Sequence, residues 1–299
     1  MPDYSKITLD TIRTSAMPAV ISAAMLRLDQ LHPEISGNKW FKLKYNLEDT
    51  RAAGKATIVT FGGAYSNHIA ATAAACRDAG MHAIGIIRGE EIRADSNATL
   101  QLAAANGMEL RFVSRETYKA VQQPSNPLYQ ALAEEAYIIP EGGHNAAGAR
   151  GCEDILRIHP TSSYTHILCA VGTGTTLAGI INSAAPHQQV LGISVLKGAA
   201  YLQQEIAALL LPAHTASWEL LTEHHGGGYG KYSAEQVNSM NEFYQQTHIP
   251  TDIIYTGKLI QAFNTLLKTN YFPDGSNVLL IHTGGLQGNS SVVPGTLTF

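Results

Sequence analysis

An alternation that begins near residue 55 and runs to the C-terminus limits most strongly what this chain can fold into. Short β-rich runs at Thr57–Phe61, Ala83–Ile87, Leu110–Val113, Tyr137–Pro140, Ile167–Val171, Val190–Val195 and Val278–His282 are separated by stretches rich in alanine and leucine. Runs such as TIVTF and ILCAV are apolar without a break, the pattern of strands buried on both faces. Ile69–Arg77 and Thr99–Ala105 read as helices, with Gly80 and Gly107 where C-terminal caps belong. Strand, helix and strand in repetition predict an α/β chain of mostly parallel sheet with helices on both faces. At about 150 residues per domain, the chain has room for two such layers, and a break near Gly143–Gly151 is where they divide. Ligands of open parallel sheets bind beyond the carboxyl ends of the strands. Glycine-rich turns follow three of these strands: FGGAYSNH at 61–68, VGTGTTLAG at 171–179 and HTGGLQGN at 282–289. Two open-sheet domains facing a shared cleft are the expectation.

Several function classes are disfavoured by composition. The chain is 45% apolar and 15% charged, which suits a soluble protein with a sizeable core rather than a disordered one. Its 20 basic and 24 acidic residues give a net charge of −4, and no basic run suggests nucleic acid as a partner. Cys76, Cys152 and Cys169 are too few and too scattered for a disulfide framework or zinc cluster, so a reducing compartment is expected. No apolar stretch approaches the roughly 18 residues that span a bilayer, and MPDYSKITLDT has no signal-peptide character. A cytoplasmic protein with no membrane partner is expected. The 12 histidines offer only His224–His225 as a close pair, so no metal site is expected.

Three segments carry chemistry. In VGTGTTLAG a strand passes through small residues into a helix start, so free N–H groups and threonine hydroxyls form a phosphate cradle. It lacks the lysine ending of a nucleotide P-loop and the spacing of a dinucleotide site; an ordinary strand-to-helix turn is the alternative. In SGNKWFKLKYNL at 36–47, Ser36 reads as an N-cap, and Trp40, Leu43 and Leu47 as a buried face. Lys39 and Lys42 then share a face near the helix start, where cations oppose the helix dipole. Such a pair suits a bound anion, or a lysine that reacts with a carbonyl; two solvated lysines are the alternative. Ser66, Asn67 and His68 open a helix after a buried strand without matching a serine-nucleophile elbow, and either cap the helix or meet a ligand. Tyr229 in GGGYG and Tyr255 in IIYTGK are candidates for either packing or a site.

Taken in order, SGNKWFKLKYNL, TFGGAYSNH, PEGGHNAAGARG, VGTGTTLAG, GGGYG, YTGK and HTGG resemble the pyridoxal-phosphate enzymes of tryptophan-synthase-β-like fold. More narrowly the chain is similar to the branch that contains 1-aminocyclopropane-1-carboxylate deaminase and D-cysteine desulfhydrase. The resemblance implies two α/β domains with pyridoxal 5'-phosphate in the cleft between them. The larger domain would comprise 1–49 and 151–299, and a smaller interpolated one 50–150. It implies Lys39 as the Schiff-base lysine and Lys42 as a cationic contact to the cofactor phosphate. Gly172, Thr173, Gly174, Thr175 and Thr176 would cradle that phosphate, and Asn67 would bond the ring hydroxyl. Ser66, with Asn67 and His68, would meet the substrate and its carboxylate, and Tyr229 and Tyr255 would stand over the reacting carbons. A homodimer is the family habit.

Deaminases of this branch carry Glu and Leu where this chain has Thr256 and Thr283. A glutamate keeps the pyridine nitrogen protonated for opening a cyclopropane; a threonine leaves it neutral, which suffices when a thiolate departs. The resemblance therefore favours D-cysteine desulfhydrase, a lyase that yields pyruvate, sulfide and ammonia. The alternatives are the deaminase, giving 2-oxobutanoate and ammonia, and a non-catalytic binder of amino acid or cofactor. A nicotinamide-dependent oxidoreductase is a further reading of a doubly wound sheet.

Overall fold

The computed structural model describes residues 2–299. In chain order the regular elements begin β1 (Leu9–Ile12), β2 (Ser22–Arg27), α1 (Asn38–Ala52), β3 (Thr57–Gly63) and α2 (Asn67–Ala79). Then come β4 (His82–Arg88), α3 (Ala98–Ala105), β5 (Met108–Val113), α4 (Arg115–Ala120), α5 (Pro127–Glu135), β6 (Tyr137–Ile139) and α6 (Ala146–Glu153). The remainder is β7 (His166–Val171), α7 (Thr175–Ser183), β8 (Gln189–Ser194), α8 (Leu202–Ala207), β9 (Ser217–Leu221), α9 (Ala234–Thr247), α10 (Thr256–Lys268) and β10 (Asn277–His282). Each of the seven strands read from the sequence is present to within two residues. The fold is α/β with mostly parallel sheets.

The chain divides into two compact units, one containing Lys39–Gly151 and the other Asp3–Asn38 with Cys152–Phe299. The first is built on a four-stranded, all-parallel sheet of order β5-β4-β3-β6. One of its two inner strands, β3, is largely apolar and buried. The next helix, α2, is capped by the Ser66 hydroxyl at its start and by left-handed Gly80 at its end. Ala70, Ala71, Ala73, Ala74 and Ala75 are all buried, which lets α2 pack closely.

α1 falls within this first unit almost entirely, so the boundary at 38/39 lies eleven residues before the expected one at 49/50. A polar seam ties it there. Asn46 and Asn145 exchange side-chain hydrogen bonds of 3.2 and 2.7 Å, and the Asn145 oxygen also accepts from the Gly148 N–H. The helix starts at Asn38, and Ser36 is not its cap; the Ser36 hydroxyl instead donates to the Asp29 carbonyl at 3.4 Å. The buried side is broader than the spacing of Trp40, Leu43 and Leu47 suggests. Phe41, Leu43 and Leu47 are buried with Lys42, Asn46 and Thr50, while Trp40 is half-buried.

The second unit holds a six-stranded sheet of order β1-β2-β10-β7-β8-β9, parallel except where β1 meets β2. α10 lays Leu259, Ile260, Phe263, Leu266 and Leu267 into a core with Met25, Leu168, Ile193, Val278 and Leu280. Among the described residues no helix is long and apolar enough to cross a membrane, and no group of three or more His, Cys, Asp or Glu is placed to hold a metal ion. The cysteines are free and buried.

In the first unit α6 approaches α1 so closely that a Cβ on Gly151 would lie 1.8 Å from the Phe41 carbonyl oxygen. Neither backbone can yield without breaking the Asn46–Asn145 seam. Gly151→Ala is expected to cost about 1–3 kcal/mol or more, read as a lower denaturation midpoint in urea, whereas wild-type stability would contradict the close approach.

Candidate functional site

Within the first unit, the carboxyl end of β3 passes directly into the start of α2. Ser66, in extended conformation, accepts the Ile69 N–H on its hydroxyl at 3.3 Å, so the cap is real and its own hydrogen is left to donate elsewhere. A Cβ on Gly62 would meet that hydroxyl at 2.8 Å, which explains a glycine at the strand end. Asn67 is buried, and its carboxamide makes no hydrogen bond among the described residues. His68 is buried beneath the turn that carries Gly142 and Gly143. The Thr60 hydroxyl gives its hydrogen to the Ile139 carbonyl at 2.8 Å, so His68 Nε2, 3.0 Å from that hydroxyl, is the donor between them. His68 Nδ1 is then a buried acceptor without a partner. Burial, reinforced by the ammonium groups of Lys42 and Lys39, pushes the imidazole well below its ordinary pKa. The structure thus brings Lys39, Lys42 and His68 together in one unit.

Lys42 is buried, and its ammonium donates to the Gly142 carbonyl at 2.9 Å. Gly142 and Gly143 both have left-handed backbone, and a Cβ on Gly143 would stand 3.2 Å from Lys42 Cβ and 3.3 Å from His68 Cε1. PEGGHN is therefore a cover over the two side chains, a part the sequence gives no reason to assign. Lys39 is half-buried one turn earlier on α1.

In the second unit the loop Gly172–Thr176 leads from β7 into α7. Gly174 is left-handed at φ +86°, and a Cβ there would strike Ile206 at 2.6 Å. Thr175 and Thr176 are buried at the helix start, and the Thr173 and Thr175 hydroxyls lie 3.2 Å apart. A Cβ on Gly172 would meet the Tyr255 ring at 3.2 Å, so this tyrosine stands against the loop. Tyr229 packs edge-on to Tyr255, with ring centroids 6.2 Å apart.

Thr256 and Thr283 differ in what their hydroxyls do. The Thr256 hydroxyl donates to the Asp252 carboxylate at 2.6 Å and accepts the Asp252 N–H at 2.7 Å, so both of its roles are taken. Asp252 itself is buried and caps α10 by accepting the N–H groups of Ile254, Tyr255 and Thr256; burial raises its pKa despite those bonds. Thr283 is buried as well, but its hydroxyl makes no hydrogen bond among the described residues. Its carbonyl accepts the Asn38 N–H at 3.2 Å, and the Asn38 side chain donates to Thr176 at 2.8 Å. Asn38 thus joins the HTGG turn to the phosphate-type loop, and the next residue in the chain is Lys39. Beside Thr283, His282 donates to the Pro250 carbonyl at 2.7 Å and lies 3.3 Å from Asp29, which Arg27 grips at 2.7 and 2.9 Å. Asn38, Asp252 and the Arg27–Asp29–His282 chain were not legible as site residues. The single clue to Asn38 is that it precedes Lys39 inside SGNK.

Each unit by itself holds groups of the kind that pyridoxal 5'-phosphate requires: in the second a small-residue loop at a helix start for an anion and the unpartnered buried Thr283 hydroxyl, in the first the unpartnered buried Asn67 carboxamide. A family profile described as pyridoxal-phosphate dependent enzyme matches residues 16–284. The chain is 31% identical over 275 residues to a Thermotoga maritima protein provisionally described as a 1-aminocyclopropane-1-carboxylate deaminase, covering 85% of each. It is 29% identical over 280 residues to a mitochondrial protein of Arabidopsis thaliana described as a bifunctional D-cysteine desulfhydrase/1-aminocyclopropane-1-carboxylate deaminase, covering 85% of this chain and 70% of that one. A D-cysteine desulfhydrase of Klebsiella pneumoniae is 26% identical, with 84% and 83% covered. A crystal structure of an ACC deaminase homologue shares the fold with a TM-score of 0.76 at 23% identity, over 95% of this chain and 90% of that one.

The state of His68 has a measurable consequence. Its native pKa is depressed, so below the unfolded value of about 6.5 the unfolded chain binds the proton that the native chain refuses. Its contribution to stability is whole above that value and declines as the pH falls toward the native pKa, by up to about 1.4 kcal/mol per pH unit. Between pH 7 and 5 the stability of His68→Gln should fall less than that of the unmutated chain, measured by urea titration at each pH; parallel curves would refute the neutral, buried imidazole.

Proposed function

The chain belongs to the family of pyridoxal-phosphate-dependent enzymes, and on that premise we propose that it is a lyase acting on D-cysteine, which with one water yields pyruvate, hydrogen sulfide and ammonia. When bound, pyridoxal phosphate withdraws electrons from the substrate α-carbon, so that its proton can be removed and a group on Cβ can leave. The N–H groups and hydroxyls of Gly172–Thr176 would hold the phosphate, and Lys42 is assigned as its cationic contact. The Asn67 amide would donate to the ring hydroxyl. Ser66 and the N–H groups at the start of α2 orient the substrate carboxylate, and the Lys39 amine takes the α-proton. The Tyr255 hydroxyl, with Tyr229 packed against its ring, orients the substrate and gives a proton to the departing sulfur.

The observation that carries this reading is the contrast between the two threonines. Thr256 has its hydroxyl spent on Asp252, while that of Thr283 is unengaged, and the Asp252 carboxylate is consumed by helix N–H groups. We assign Thr283 to the pyridine nitrogen: a neutral hydroxyl in place of a carboxylate suits expulsion of thiolate better than opening of an unactivated ring.

Pyruvate release from D- and L-cysteine, and 2-oxobutanoate release from 1-aminocyclopropane-1-carboxylate, should be measured at matched concentrations. D-cysteine is expected to dominate. Preference for the cyclopropane substrate would make the chain a deaminase, and no turnover with cofactor bound would make it a binder. Lys39→Ala is expected to lose both turnover and the borohydride-sensitive visible absorbance, whereas Lys42→Ala keeps that absorbance at saturating cofactor but releases the cofactor more readily on dialysis. Tyr255→Phe should lower turnover about 10²-fold or more, the scale of a lost acid–base group, with the absorbance unchanged.

A further inference from the structure

Lys258 is a buried cation that the proposed chemistry leaves unused. It lies in the first turn of α10, where the helix dipole disfavours positive charge, and it is fully buried. Its ammonium donates to the Gly228 carbonyl at 2.6 Å and reaches the Val195 carbonyl at 3.4 Å. Among the described residues no carboxylate pairs with it directly; Asp252 favours its charge from a distance, but burial is stronger and pushes its pKa down to about 8. A buried ammonium costs several kcal/mol unless its ligands are well placed, and a methionine would fill similar space without that cost.

The carbonyl it holds belongs to the loop Gly226–Gly230. Four of the loop's five residues are glycine, each with left-handed φ, so its own conformational preferences fix it poorly. The loop lies down on the lysine: a Cβ on Gly226 would stand 3.2 Å from Lys258 Cε and 3.1 Å from the buried, unpartnered Gln236 Oε1. The residue after Gly228 is Tyr229, nearly half exposed, whose ring meets Tyr255 edge-on. Tyr255 precedes Lys258 by three residues at the same helix end. Lysine, carbonyl, loop and two rings close a circuit on one helix terminus.

We propose that Lys258 is a positioning residue: its ammonium holds the Gly228 carbonyl and thereby sets where the Tyr229 ring stands against Tyr255. This rests on the role given to the two tyrosines above. Without the tether the glycine loop gains freedom, the Tyr229 ring leaves its partner part of the time, and the reacting geometry is populated less. A displacement of about 1 Å at such a ring is enough for up to about 10²-fold in rate.

The test uses holoenzyme carrying Lys258→Met or Lys258→Arg. In Lys258→Met, amide hydrogen exchange across 226–231 should speed at least about tenfold while that of β10 is unchanged. Its kcat should fall about tenfold or more, with KM and the cofactor absorbance near those of the unmutated enzyme, and Lys258→Arg should restore much of both. Unchanged loop exchange in folded Lys258→Met would overturn the proposal. So would general loosening of β10 with loss of cofactor, the mark of a packing role alone. Should Lys258→Met fail to fold, Gly228→Ala moves the same carbonyl from the loop side, since alanine is strained at φ +113°; it should reproduce the faster exchange and the kcat loss, and wild-type behaviour there would sink the tether. Tyr229→Ala separates the two readings. If it turns over like the unmutated enzyme, the role of the tyrosine pair fails and the positioning role falls with it. If Tyr229→Ala is impaired but Lys258→Met leaves the loop unchanged, only the role of Lys258 fails.

Discussion

The second unit depends on two backbones that run closer than any side chain would allow. At Gly37 a Cβ would lie 2.0 Å from the Thr283 carbonyl oxygen, and at Gly284 one would lie 2.9 Å from Gly37 Cα. Glycine at both positions, each left-handed, lets the segment entering α1 lie on the turn leaving β10. The Asn38 N–H then reaches the Thr283 carbonyl, and the Asn38 side chain reaches Thr176. One crossing therefore places the unengaged Thr283 hydroxyl and the start of α7 relative to each other. A single methyl group at Gly37 would disturb all of these, because the contact is backbone against backbone and no rotamer can absorb it.

Two buried lysine ammonium groups reach backbone carbonyls of glycine turns. Lys42 in the first unit donates to Gly142, and Lys258 in the second donates to Gly228. Both acceptors sit in glycine turns with positive φ, a conformation that aims a carbonyl inward where an ordinary residue would not. A carbonyl satisfies an ammonium without cancelling its charge, so the field of the cation survives. In the first unit that field, added to burial, keeps His68 neutral. The buried carboxylate of Asp252 is likewise consumed by N–H donors at a helix start. Among the described residues no acid is thereby left free beside Thr256, and that is the ground for proposing a neutral partner at the pyridine nitrogen.

Much of the fold was legible because parallel strands buried on both faces need long apolar runs, and β3, β7 and β10 carry them. The three strands that escaped notice fail that test for separate reasons. β2, SAAMLR, is made of good helix formers and is a strand only because β1 and β10 flank it. β9 is an edge strand that is half exposed, and β1 is four residues long and pairs antiparallel. Trp40 was a fair choice for the buried face, since it shares a side of the helix with Leu43 and Leu47, but the packing around α1 buries Phe41 more deeply.

The sequence by itself determined the α/β class, the order of the glycine turns, the family and its cofactor, since all of these are written in local runs of a few residues. It named Lys39, Asn67 and Gly172–Thr176 as candidates for the same reason. Only the tertiary structure decided which hydroxyl of Thr256 and Thr283 is engaged, that α1 packs with the β3–β6 sheet, and that Lys258 reaches the loop bearing Tyr229. Each of those depends on partners from 4 to about 100 positions away in the chain. Hydrogen-bond saturation belongs to the neighbourhood, and no local pattern encodes which neighbour will arrive.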